Sequence, residues 1–344
     1  ASKKCAQEYN IEAKEVDDLL ADREINIVLN LTTPQAHYEI IKKTLLAGKH
    51  SYCEKPLSTN YEHGAELLQL ANDNNLYIGN APDTFLGGGS QLARQLIDQN
   101  EIGDIKLGVI NFAFPGVQSF HPEPEFWFKK GGGPVIDMGP YYFTALVNLL
   151  GPAKCVRAKA TKVHDYRTIE TGPKKGDKFE VEIPTSIIGS IEFKSSAVIQ
   201  IFLSFDVINH QRNHIELYGT KGSMIVPDPN MFGGSVFSSC TESGEWKEYS
   251  SSDMLIGKTN IFNKSVRSNE EPEVANYRGV GLSEMIDAIE NKRANRCNGK
   301  LSLHVLDMID STINASINGV EQNLRTSCER PVVFSENEIK QLMK

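Results

Sequence analysis

The stretch Ile25-Asn26-Ile27-Val28-Leu29-Asn30-Leu31, followed at once by Thr32-Thr33-Pro34, decides the fold. A short, nearly continuous apolar run is what a strand buried on both faces requires. A threonine pair with proline behind it marks a helix start, since proline fits the first turn, where its missing N–H is not needed. Ala36, Ile40, Ile41, Thr44 and Leu45 then recur at helical spacing, and Gly48 supplies a C-terminal cap. Ser51 to Cys53 reads as a second strand that runs straight into Glu54-Lys55-Pro56. Thr59 and Glu62 form a capping-box pattern before a helix carrying Ala65, Leu68, Leu70 and Ala71, and Leu76 to Ile78 is a third strand. Strand and helix alternating through short joins predict a parallel sheet with helices on its faces. This is a Rossmann-type α/β arrangement, and we assign it to residues 1–85.

Beyond Asn80 the pattern changes. A helix from about Gly89 to Gln99 leads into a strand, Lys106 to Phe114, and Gly131-Gly132-Gly133 precedes a helix from Ile136 to Leu150. Strands dominate after Gly151: Val156 to Lys162, Thr185 to Phe193, Val198 to Phe205, Ile215 to Tyr218 and Ser223 to Val226. Hairpin-turn residues fall between several of them, at Lys194-Ser195-Ser196 and Gly219-Thr220-Lys221-Gly222. A large, mostly antiparallel open sheet with helices on one face is expected for residues 86–344. Helices at Leu282 to Lys292 and Leu301 to Asn323 close this second α/β domain, and Gly257 to Asn276 reads as a mobile polar loop.

The 344 residues carry 36 basic and 44 acidic side chains, a net charge of −8. Lysines are scattered, and the densest group, Lys174, Lys175 and Lys178, reads as a solvated loop. No nucleic-acid partner is expected from such a surface. No run of about 18 apolar residues occurs, so no membrane-spanning helix is expected. The six cysteines lack metal or redox spacing and read as thiols of a reducing, cytoplasmic compartment. No metal site is expected. Asn30 belongs to a sequon, but its place in an apolar strand argues against glycosylation there.

Open parallel sheets bind ligands beyond the carboxyl ends of their strands. Thr32-Thr33-Pro34 and Glu54-Lys55-Pro56 occupy two such ends and should share one crevice. Asp137 and Tyr141 are four residues apart, hence on one face of a helix near its N-terminus. Alcohol oxidation needs hydride transfer to a cofactor and removal of the hydroxyl proton. An ammonium beside a phenol favours the phenolate, so Lys55 with Tyr141 would form a proton-transfer pair, with Asp137 orienting a second hydroxyl. Tyr142 is an adjacent competitor that does not share the face of Asp137. His121 and Trp127 lie in the loop before the glycines, where a substrate wall could be built. Asp206, His210, Arg212 and His214 follow a strand that could end at the pocket.

Taken together, His50-Ser51-Tyr52-Cys53-Glu54-Lys55-Pro56 and Gly131 to Gly151 resemble the glucose–fructose oxidoreductase/inositol dehydrogenase/MocA (Gfo/Idh/MocA) family. Further resemblance lies in Ile102-Gly103-Asp104 and in Ile215 to Gly222, so it spans roughly Asn26 to Leu306. The resemblance implies an enzyme using NAD or NADP on sugars, glycosides or polyols, with the open sheet pairing into a homodimer or homotetramer. It also implies Lys55 as catalytic lysine, Thr32, Thr33, Pro34 and His37, together with Glu54 and Pro56, as the cofactor-contacting turns, and Asp137 as substrate ligand. Many members carry histidine where this chain has Tyr141, while others carry tyrosine. The family's first strand and glycine-rich loop are expected to precede Ala1. A cofactor- or sugar-sensing regulator, or a scaffold subunit, is the alternative on the same fold.

Overall fold

The computed structural model describes residues 2–240, 244–262 and 273–342. Two short helices, Ser2–Tyr9 and Val16–Ala21, come first. The deciding stretch then forms strand β1, Ile27–Asn30, followed by helix α1, Pro34–Leu46, with Thr33 as N-cap and proline at the first turn. Its buried side, His37, Ile41, Thr44 and Leu45, faces the sheet, and Gly48 closes it with φ +71°. Strand β2, His50–Cys53, helix α2, Tyr61–Asp73, and strand β3, Ile78–Asn80, complete a three-stranded sheet in the order β1-β2-β3. Both pairings are parallel.

Two local expectations move. The cap of α2 is Asn60, whose side chain accepts from the His63 amide at 2.9 Å; Thr59 lies one residue outside the helix. Asparagine caps at least as well as threonine, and the three-residue spacing of Thr59 and Glu62 hid it. The third strand starts two residues late, because the Leu76 amide still donates to Ala71 O at the end of α2.

The second sheet has nine strands. After helix α3, Gly88–Asp98, come β4, Ile105–Ala113, and helix α4, Pro134–Leu150. There follow β5, Ala153–Thr161, β6, Ser186–Phe193, β7, Val198–Ser204, β8, Ile215–Gly219, β9, Gly222–Val226, β10, Val236–Cys240, and β11, Lys247–Tyr249. Helices α5, Val280–Glu290, and α6, Gly299–Asn318, precede the edge strand β12, Gln322–Asn323. The order is β11-β10-β9-β8-β4-β7-β6-β5-β12. Only the central β4–β7 pair is parallel; Leu107 lies opposite Val198 and Ala113 opposite Ser204.

Helix α6 stops five residues before the expected end, since Gly319 adopts φ +68° and its amide closes onto Ala315 O. The lysine-rich segment is the tip of a small hairpin, Tyr166–Thr168 against Lys178–Glu180, which the polar sequence concealed. Of the expected loop at 257–276, residues 263–272 lie outside the described residues; flanking them, Ile261–Phe262 pairs with Glu273–Val274.

The main core lies between α4, α6 and the inner sheet face, where Tyr142, Phe143, Ile191, Ile199, Ile201 and Met308 are fully buried. The outer face keeps Leu107, Ile188 and Val198 in solvent. No helix among the described residues is long and apolar enough to cross a membrane.

Candidate active site

The carboxyl ends of β1 and β2 are tied together by one side chain. His37, fully buried on α1, places Nδ1 2.7 Å from Pro56 O and Nε2 3.0 Å from Thr32 O. Whichever nitrogen carries the proton, the ring spans the two turns that hold Thr32 and Lys55. Asn80, at the end of β3, adds a second brace: its amide donates to Cys53 O and Glu54 O, both at 2.9 Å. The Glu54 carboxylate accepts from the Lys55 amide at 2.8 Å, which turns the lysine outward from the sheet. Thr32 bends back onto Asn30 through its amide and hydroxyl. Asn30 is buried, as its place in the strand required, and its side-chain nitrogen has no hydrogen-bond partner.

Lys55 reaches across to α4. Its ammonium donates to Asp137 O at 2.6 Å and to Asp137 Oδ1 at 2.8 Å, and lies 5.2 Å from the centroid of the Tyr141 ring. Burial works against the charge on Lys55, but Asp137, Tyr141 and Glu54 outweigh it and raise its pKa above the ordinary lysine value. Lys55 is therefore an ammonium at neutral pH, a donor to any oxygen brought beside it.

The glycine triplet sets the approach of α4. Gly131 and Gly133 have φ +93° and +100°, a region that favours glycine. At Gly132 a Cβ would stand 2.6 Å from Phe126 O and 2.7 Å from Trp127 O, so only glycine lets the loop carrying Trp127 close on this turn.

These groups open into a cleft of about 610 Å³. Lys55, Asp137, Tyr141 and His214 line it with Trp127, and the remaining wall comes from β4 and its sequel: Phe112, Phe114, Val117 and Phe120. Asn230 and Met231 close the far side. Behind the wall Phe128, Phe179 and Phe205 form a satellite core. The cleft thus has one polar side, able to hold hydroxyl groups, and one aromatic side suited to a ring face.

The structure separates the tyrosines. Tyr141 lines the cleft, whereas Tyr142 is fully buried, with its hydroxyl 2.7 Å from His214 Nδ1 and 3.3 Å from Asn111 O. Burial, with Asp228 nearby, holds the Tyr142 phenol well above its ordinary pKa. His214 faces Asp228 at 3.8 Å through Nε2.

Other sequence candidates fall outside the cleft. His121 stacks behind Trp127 at 4.7 Å, and its Nδ1 accepts from the Glu123 amide. Asp206 is buried in a network with Arg167, Thr185 and Ser186, and His210 bonds Ala113 O. His37 and Pro56 are enclosed as bracing, while Thr32 and Thr33 stay exposed at the crevice.

Sequence reasoning missed Phe112, Phe114, Asn230, Met231 and Arg278. Arg278, just before α5, donates to Asn230 Oδ1 at 3.1 Å, and its guanidinium carbon lies 5.9 Å from the Tyr141 ring centroid. Apart from the alternating pattern of β4, nothing local marks these positions.

A parallel α/β unit whose strand ends face a crevice is the arrangement in which open sheets bind nucleotides. Residues 1–80 match the model described as "Oxidoreductase family, NAD-binding Rossmann fold", and residues 90–225 match the Gfo/Idh/MocA C-terminal domain. The chain belongs to the Gfo/Idh/MocA family, and its N-terminal unit is that family's NAD-binding Rossmann domain. An uncharacterized oxidoreductase of Schizosaccharomyces pombe is 31% identical over 181 residues, 49% of this chain and 48% of that one. The dTDP-3,4-didehydro-2,6-dideoxy-alpha-D-glucose 3-reductase of Saccharopolyspora spinosa is 28% identical over 60% of this chain and 57% of its own. The matched stretch spans about half the length of these curated relatives. Among solved structures, an NAD-binding oxidoreductase from Klebsiella pneumoniae superposes with a TM-score of 0.79 at 19% identity, covering 95% of this chain and 88% of that one. Levoglucosan dehydrogenase in complex with NADH and L-sorbose gives 0.77 at 18%, covering 94% and 87%. At these identities the structures speak for the fold.

Proposed function

We propose that this chain transfers hydride between a nicotinamide cofactor and a ring hydroxyl or the matching ketone of a sugar, glycoside or polyol. The observation that carries the reading is the half-buried Lys55 ammonium, paired with Asp137 and beside Tyr141 at the mouth of a two-sided cleft. The cofactor, when bound, accepts or supplies the hydride. Thr32, Thr33 and Pro34 with Glu54, Lys55 and Pro56 would hold it, and His37 would fix the spacing of the two turns. An unpartnered donor at Asn30, beside the exposed Thr32, suits a ligand rich in oxygen acceptors.

Lys55 and Tyr141 donate hydrogen bonds to the reacting oxygen and hand over a proton in the reductive direction. In oxidation the hydroxyl proton passes to Tyr141, and the Lys55 ammonium stabilises the alkoxide so formed until its carbon gives up hydride. Asp137 holds Lys55 in place and accepts from a neighbouring hydroxyl. His214, set by Tyr142, binds a further hydroxyl, and Trp127 lies against the ring face, backed by His121. The apolar residues Leu107, Ile188 and Val198 on the outer sheet face favour assembly into a homodimer or homotetramer in the cytoplasm.

The test is a screen of sugars, glycosides and cyclitols with NAD⁺ and with NADP⁺, read as absorbance of the reduced nicotinamide, with Lys55→Ala as control. Turnover on any compound that falls by about 10²- to 10⁴-fold in Lys55→Ala supports the reading. Tight cofactor binding with silence across the panel moves it to a sensor or scaffold.

A further inference from the structure

We propose that Arg278 is an anion-recognition residue of this cleft, and that the substrate carries a carboxylate besides its ring hydroxyls. The inference rests on the oxidoreductase reading and narrows its substrate class.

Exposed arginines usually move freely, but this one is pinned from both ends. Its amide donates to Asn276 Oδ1, and the Asn276 amide donates in turn to Asn260 Oδ1 at 2.7 Å. The next residue, Gly279, has φ +102°, and its amide and that of Gly281 both donate to the buried Asp83 carboxylate, at 2.9 and 3.1 Å. The guanidinium then rests against Asn230 and over the Tyr141 ring, and both of those residues line the cleft.

Its charge acts on the buried Asp83 carboxylate only at a distance. Arg278 makes no ion pair among the described residues, and a single hydrogen bond to Asn230 leaves most of its five N–H donors open. Among the described residues, the nearby carboxylates have closer partners than Arg278. Asp137 holds Lys55, Asp83 holds the Gly279 and Gly281 amides, and Asp228 accepts from the Asn230 amide and faces His214. A cation fixed at the edge of an aromatic cleft, with a free planar fork, matches a carboxylate in two parallel hydrogen bonds. A phosphate monoester would bring a charge of about −1.5 to −2 among Asp83, Asp137 and Asp228, where one guanidinium cannot balance it. The class is therefore a sugar acid.

The chain has two tryptophans, so Trp246→Phe leaves Trp127 in the cleft wall as sole fluorescent reporter. In that background, glucuronate and glucose are titrated with and without Arg278→Gln, and turnover of both is followed with NAD⁺. Glucuronate should bind roughly five- to tenfold more tightly than glucose. Arg278→Gln should erase that preference by weakening glucuronate far more than glucose, and Arg278→Lys should restore part of it. Equal affinities, a preference that survives Arg278→Gln, or no quenching by either sugar overturns the proposal. Turnover of both sugars without preference sinks the anion site and leaves the oxidoreductase reading standing. A preference in binding with no turnover of any compound does the reverse.

Discussion

The two sides of the cleft are built by different forces. The crevice side is held by directed hydrogen bonds between backbone groups and the side chains of His37, Asn80 and Glu54. The aromatic side rests on packing of Phe112, Phe114, Phe128 and Phe205, in tilted and edge-on contacts of 5.2 to 6.4 Å between ring centres. Packing is non-directional and tolerates exchange of similar volumes, whereas a buried carbonyl deprived of its donor has no substitute. On the proposed function, Lys55 therefore stands on the side held by directed bonds and the surface that would meet the substrate body on the adaptable one.

That contrast can be broken most severely at Phe128. It is fully buried behind the wall, and Phe128→Ala should cost about 3–5 kcal/mol in denaturant unfolding, while Phe128→Leu should cost far less. Equal losses would mean that the wall, too, depends on exact shape.

Helix α6 joins the two sides, packing on β5 and on α2, and it carries the buried His304. Burial lowers the His304 pKa to about 4, and its Nε2 accepts from the Ala153 amide. The unfolded chain binds a proton below an ordinary histidine pKa of about 6.5 and the folded chain does not. Stability is thus intact above pH 6.5 and declines as pH falls toward about 4, by roughly 3 kcal/mol in all. Unfolding curves over that range should show the decline, and His304→Gln should flatten it; an unchanged slope would exclude His304 as its source.

On the crevice side, His37→Ala should lose about 1–3 kcal/mol, because a carbonyl loses the imidazole N–H that bonds it and the ring that spans the two turns is gone. Its cofactor affinity, measured by calorimetry, should fall by more than that of Phe128→Leu. A smaller fall would show that the crevice does not need its bracket. The smallest expected effect is the cap of α2: Asn60→Ala should lower stability by about 1 kcal/mol, and Thr59→Ala by almost nothing. The reverse order would restore the threonine as cap.

The rigid side was largely legible because its signals are local. Strand, turn and helix start lie within ten residues in Ile25 to Pro34, and Asp137 shares a helix face with Tyr141 by period alone. The aromatic side resisted. Phe112 meets Phe205 across the parallel β4–β7 neighbourhood, Tyr142 meets His214 72 residues away, and Arg278 reaches Tyr141 from beyond the second sheet. Such pairs depend on sheet order, and periodicity carries no information about which strands become neighbours. The misplaced cap at Thr59 has a simpler origin, since two capping residues stand side by side and only backbone geometry chooses between them.

The imidazole of His37 works as a caliper. The gap between the turns that carry Thr32 and Lys55 equals the width of one ring plus the close approach of each nitrogen to a carbonyl oxygen, and no residue of the substrate wall takes part in setting it. On the proposed function, mutation can therefore reshape the wall for a new sugar while the gauge of the proposed reaction centre stays constant. In such a scaffold, drift in specificity and retention of chemistry are separate hereditary traits.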